Sequence, residues 1–345
     1  MVSYDALRRS IGRRRSGLLA LLLFALAACG PSAAPAASPA SAAKAPSASS
    51  PIDLKVAWVA ITSHTLPTWI AESRGFFRQQ GLNAQVSYIQ GSTTAIPALM
   101  AGDLGMLEAT PAASVQAQLK GQDMVVLATH IPYADQRLVG LPGIKSVSDL
   151  RGKTVAVTKP GTVTDVVMRA VLKQNGLTPG KDVQITFLDS QPGQVAALKK
   201  GLVQAILTDP PFYLMAEKAG AQEILDTLTL HYPYPEDGVV TTRKFVRNHP
   251  EAVRAYLKAF VQGIQFIRSN PAETKQILSE KTKEADPAIL DASYDVLLDD
   301  LADNPVPGLD GIKTVLPLFE GGVGKEPAAF IDAAPLAQAI DELKR

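Results

Sequence analysis

The segment Ala98-Leu99-Met100-Ala101-Gly102-Asp103-Leu104-Gly105-Met106-Leu107 returns 99 residues later as Ala197-Leu198-Lys199-Lys200-Gly201-Leu202-Val203-Gln204-Ala205-Ile206, and Pro111 returns as Pro210. In each copy a helical run stops at a glycine, a short apolar run follows, and a proline opens the next helix. Working outward, both copies sit in a strand–helix series. Strands are expected at 54–59, 83–89, 104–107 and 124–129, with helices at 67–74, 93–101 and from Thr110-Pro111. The second series places strands at 153–158, 183–188 and 205–207, and helices at 164–175, 193–200 and from Pro210-Pro211. Such alternation predicts α/β sheets with covered faces. Two series built alike predict two lobes with a cleft between them.

After Asp237-Gly238 the pattern turns helical. Between Pro250 and Asn270, Val253, Tyr256, Leu257, Phe260, Ile264 and Ile267 share one face, while Arg254, Lys258 and Gln265 lie elsewhere. Further helices are expected at 271–279, 287–301 and 335–344, packed on the first lobe.

The N-terminus reads as an export signal over residues 1–28. Arg8, Arg9, Arg13, Arg14 and Arg15 precede the apolar run Ser16 to Ala28, which is too short to span a bilayer. Leu26-Ala27-Ala28-Cys29 resembles a bacterial lipobox, which implies acylation of Cys29, the only cysteine, and anchorage to the membrane by that lipid. Sec and Tat export both remain open. Residues 30–51 are almost entirely Ala, Pro and Ser with Lys44 the lone charge, so the stretch 29–52 is expected to be a disordered tether reaching at most roughly 70 Å.

Without the leader, the chain carries 29 basic and 32 acidic residues and no basic block, which argues against nucleic-acid binding. With Cys29 acylated, no thiol remains for disulfide or nucleophilic chemistry. His64, His130, His231 and His249 show no metal-ligand spacing, so neither a metal nor a cofactor is expected. Gly152-Lys153-Thr154 imitates a phosphate loop but lacks the earlier glycine, Val147 standing there, and it precedes a strand. No catalytic constellation stands out, and no enzyme activity is expected.

Loops at the carboxyl ends of the expected strands carry the candidate ligand-binding residues, because helix N-termini there present free N–H groups. On the first lobe these are Ser63, His64, Gly91, Ser92, Thr93, Glu108 and Thr110. On the second they are Lys159, Gly161, Thr162, Asp209 and Phe212. Trp58, Tyr133 and Phe212 are expected as apolar walls.

The chain then resembles a known family, the lipid-anchored solute-binding proteins for nitrate, sulfonates, taurine and thiamine-precursor pyrimidines. The carriers are Ile70-Ala71-Glu72-Ser73-Arg74-Gly75-Phe76-Phe77-Arg78-Gln79-Gln80-Gly81-Leu82, the Ala98–Gly105 run, Asp149-Leu150-Arg151-Gly152-Lys153-Thr154-Val155-Ala156-Val157, and Asn248-His249-Pro250-Glu251-Ala252-Val253. The resemblance implies a type II periplasmic-binding-protein fold, with 53–135 plus 239–345 as lobe I and 136–238 as lobe II. It implies an exported monomer that hands a small-molecule solute to ABC permease subunits. A sensor for a membrane receptor and an enzyme such as a thiamine pyrimidine synthase are the alternatives. Relatives usually have a small or apolar residue where this chain has Glu108. Glu108 and Asp209 therefore suggest a zwitterionic or amine-bearing solute, while Lys159 and His64 are the nearest cationic groups for an anion.

Overall fold

The computed structural model describes residues 50–230 and 233–345. The expected leader, Cys29 and the tether up to residue 49 lie outside the described residues, as does His231. The first series folds as β1 (Ile52–Trp58), α1 (Leu66–Ser73), α2 (Phe76–Gln79), β2 (Leu82–Tyr88), α3 (Ser92–Ala101), β3 (Met106–Ala109), α4 (Pro111–Leu119) and β4 (Met124–Tyr133). The second follows as β5 (Arg137–Gly140), β6 (Thr154–Val157), α5 (Val163–Gln174), β7 (Gln184–Phe187), α6 (Gln191–Lys199), β8 (Ala205–Thr208), α7 (Phe212–Lys218) and β9 (Gln222–Asp226). The chain then returns through β10 (Pro233–Thr242) to α8 (Arg243–Asn248), α9 (Pro250–Ser269), α10 (Pro271–Thr282), α11 (Pro287–Asp300), α12 (Leu309–Val315) and α13 (Ala334–Leu343).

These strands make two five-stranded sheets of matching order, β2-β1-β3-β10-β4 and β7-β6-β8-β5-β9. In each, three strands run parallel, and the fourth, arriving from the other lobe, runs antiparallel to the third. The repeated segment is the α3–β3 and α6–β8 unit. Gly102 and Gly201 sit at equivalent ends with φ of +83° and +69°, and their amides donate to Leu99 O (3.1 Å) and Leu198 O (2.9 Å). Glycine adopts that left-handed turn without a Cβ penalty, so both helices stop there. The third strand begins at Met106, two residues later than expected. β5 and β10, each antiparallel to both of its neighbours, make the sheets mixed.

β10 lies close against its neighbour: a Cβ on Gly238 would stand 2.1 Å from the Ala128 carbonyl, so only glycine fits. The six expected apolar positions of α9 are all buried, in one cluster with Leu66, Trp69 and Ile70 of α1. Each such side chain contributes about 1.5–3 kcal/mol by leaving water. Not all of the C-terminal helices pack on the first lobe. Ile312 and Val315 of α12 join the cluster of Val155 and Leu207 from the second sheet, and α11 also touches α7. The apolar face of the C-terminal region is thus shared between two cores.

Candidate cleft between the lobes

Loops after β1, β2 and β3 meet loops after β6, β7 and β8 around a cleft of about 690 Å³, its mouth included. The same strand ends face each other because the lobes share one topology, and the helices α3, α5 and α6 all present their N-termini there. Contacts cross the opening. Lys159 Nζ donates to the Gln90 carbonyl at 3.2 Å and to the Thr94 hydroxyl at 3.4 Å. The Ser63 amide and hydroxyl both approach the Pro210 carbonyl, at 3.3 and 3.4 Å.

Of the residues expected from sequence, His64, Gly91, Ser92, Thr110, Lys159, Thr162 and Asp209 line this cleft. Six do not. Ser63 serves the contact to Pro210. Thr93 faces Gly161 across the rim, and the Gly161 amide donates to Asp165 (2.9 Å). Tyr133 ends β4 and is exposed. Phe212 packs in the second lobe's core with Val139 and Ile206. Glu108 sits beneath the floor, with His130 Nε2 3.7 Å from its carboxylate. Of the expected walls, Trp58 stands behind Tyr88, stacked at 4.5 Å, and it is Tyr88 that faces the cleft.

Several rim hydroxyls are already occupied. Thr162 donates to Lys159 O at 2.7 Å and, with Thr158 and Thr164, forms a closed hydroxyl cluster, while Thr110 donates to Pro235 O at 3.1 Å. These threonines shape the loops. The groups missed from sequence are Glu236 and Asp237 on β10. Gln191 accepts from the Thr208 hydroxyl and the Asp209 amide and donates to the Asp209 carboxylate, holding that side chain at the floor.

The floor is strongly acidic. His64 Nε2 donates to Asp135 Oδ2 at 2.6 Å with both side chains buried. Burial alone would push the His64 imidazole down, but the charge and hydrogen bond of Asp135, with Asp209 and Glu236 nearby, hold it well above its ordinary value. His130 donates to the His64 carbonyl at 2.9 Å, and burial pushes it down to about 3, so it is neutral. Burial and mutual repulsion raise the carboxyls of Glu108 and Glu236 well above the usual range and take Asp237 up to about 7. Burial likewise raises Asp209.

Two donor triads, His64–Asp135–Glu236 and Glu108–His130–Asp237, each gather within 4.8 Å. Their geometry suits protons better than a metal. At 2.6 Å the His64–Asp135 pair is too close for two ligands of one zinc ion, whose bonds of about 2.0–2.1 Å put tetrahedral donors about 3.3 Å apart. In the other triad, the His130 nitrogen facing Glu108 is already committed to the His64 carbonyl.

With this geometry in hand, known proteins supply the context. The chain is 27% identical over 217 residues to the taurine-binding periplasmic protein of Escherichia coli (strain K12), covering 62% of this chain and 67% of that protein. A structure from Bordetella bronchiseptica RB50 superposes with a TM-score of 0.77 at 25% identity, covering 85% of this chain and 98% of that one. The periplasmic aliphatic sulphonate binding protein SsuA from Escherichia coli shares the fold, with a TM-score of 0.64 at 20% identity over 84% of this chain and 97% of its own. Residues 47–280 match the family model described as the NMT1-like family, and the chain belongs to that family.

Proposed function

We propose that this protein is the extracytoplasmic solute-binding component of an ABC importer, capturing a small solute between its lobes and presenting it to permease subunits without altering it. The observation that carries this reading is the cleft itself: two like-built lobes, joined by strand crossovers, line one shared space and touch across its mouth. A ligand that touches both rims favours the closed arrangement by its differential contacts, so capture works as a population shift. The relative named as taurine-binding and periplasmic supports the same role.

In this reading 53–135 plus 239–345 form one lobe and 136–238 the other. The N-terminal 28 residues direct export, Cys29 carries the lipid anchor, and the protein acts as a monomer. Seven of the residues expected from sequence, with Glu236 and Asp237, form the binding surface.

The test combines uptake with chemistry. Deleting the gene abolishes high-affinity uptake of the solute, and purified protein returns that solute unchanged by mass spectrometry after long incubation. Turnover of the solute, or uptake indifferent to the deletion, contradicts the proposal.

A further inference from the structure

The acids of the cleft floor outnumber the bases that could neutralise them. Asp209, Glu236 and Asp237 line the cleft, and Asp135 stands behind His64. Among the described residues no lysine or arginine is buried. Lys159, the cation that does line the cleft, is spent at the rim on Gln90 and Thr94. His64 balances Asp135, and His130 is neutral.

Three oxygens in this floor, Asp209 Oδ1, Glu236 Oε2 and Asp135 Oδ1, sit on side chains more than nine-tenths buried and make no hydrogen bond; the Gln136 side chain approaches Asp209 and Glu236, and Asp300 approaches Asp135, without closing one. Orphaned buried acceptors are costly, and a site that leaves them open is built for a donor that arrives with the ligand. Above the floor, Val59, Ile61, Tyr88, Val163 and Pro192 offer apolar contact for a carbon skeleton.

Resting on the importer reading above, we propose that the solute carries a cationic nitrogen, an amine or amidine, seated on the cleft floor among Asp209, Glu236 and Asp237. An ammonium group brings N–H donors to the open oxygens and a second positive charge to a floor whose His64 charge is spent on Asp135. The raised carboxyls of Glu236 and Asp209 agree with a floor that is short of positive charge. A metal ion is the weaker occupant, because the Nε2 atoms of His64 and His130, the ones that face the acids, are already bonded as described. The Thr62 hydroxyl, also buried without a partner, and the helix N-termini at the rim are left for the solute's polar end.

The experiment uses the full chain in calorimetry and thermal shift with probe pairs that differ in their ammonium groups: taurine against ethanesulfonate, and putrescine against 1,4-butanediol. Nitrate, zinc chloride and calcium chloride complete the set. The expected result is that the ammonium member of at least one pair binds about 30-fold or more tightly than its partner, and that Glu236→Gln removes most of that preference. The comparison on the native chain stands even if the variant folds poorly. Ethanesulfonate, butanediol or nitrate binding as tightly as the ammonium probes overturns the cation proposal while leaving the importer reading intact. Binding of a metal salt alone overturns it as well. A panel silent up to about 10 mM also overturns it, since a solvent-reachable ammonium site should raise the melting temperature at that concentration. The importer reading then stands or falls on uptake.

Discussion

His64 Nε2 lies 2.6 Å from Asp135 Oδ2, although the two residues are 71 positions apart and neither side chain is more than 2% exposed. The loop after β1 supplies the imidazole and the end of β4 supplies the carboxylate, so the pair forms only when the first sheet is complete. It holds a positive charge at the floor of the cleft.

Asp135→Asn removes that support. The raised His64 pKa means that its protonated form favours folding. The contribution is fully present below the unfolded value near 6.5 and is lost as pH rises through the folded one. In the variant, burial acts unopposed by this partner, and the imidazole titrates at a markedly lower pH by NMR. The variant loses about 1–3 kcal/mol in urea unfolding near neutral pH, and the gap to the native chain narrows in alkaline solution.

Asp237 is linked in the same direction, over a more acidic window. Its carboxyl is raised by burial, offset in part by His64 and by the Gly238 amide, to about 7, so the folded chain binds this proton more tightly than the unfolded chain does. That group makes the ligand-free protein less stable as pH rises from about 4 to 7. Asp237→Asn removes this slope, and the variant is more stable than the native chain at pH 8 by about 1–3 kcal/mol, measured by denaturant titration.

Gly91 has φ of +82° and faces the other lobe, and a Cβ there would meet Lys159 Cδ at 3.3 Å and Thr162 Cγ2 at 3.7 Å. Gly91→Ala strains the backbone by about 1–3 kcal/mol and also props the closed cleft. Its binding constant weakens, by calorimetry, in addition to the loss of folding stability.

Lys159→Met keeps the apolar stem but deletes the bonds to Gln90 and Thr94. Because the ammonium is only half-buried, the effect is modest: solute affinity falls about 3- to 10-fold, with little change in melting temperature. An unchanged affinity would show that this bridge does not favour closure.

The parallel halves of both sheets were legible because β3, β6 and β8 are short buried runs and glycines such as Gly102 and Gly201 punctuate the pattern. β5, β9 and β10 were not. β9 is an edge strand with exposed Gln222 and Glu223, so it lacks an apolar signal, and β10 carries Glu236 and Asp237 buried within its run. Acids on a buried strand contradict the pattern rule, and such conflicts concentrate where a site is built. His64 and His130 looked unrelated because 66 positions separate them, and only sheet pairing brings them together. The Thr110 and Thr162 hydroxyls that line the cleft also tie its loops through the Pro235 and Lys159 carbonyls, a role that residue type alone does not distinguish from binding.

Closure of the two lobes on a solute is the central claim, and small-angle X-ray scattering of the purified chain measures it directly. The account predicts a smaller radius of gyration and a shorter maximum dimension once the binder identified by thermal shift is saturating. A profile identical with and without saturating binder would contradict it.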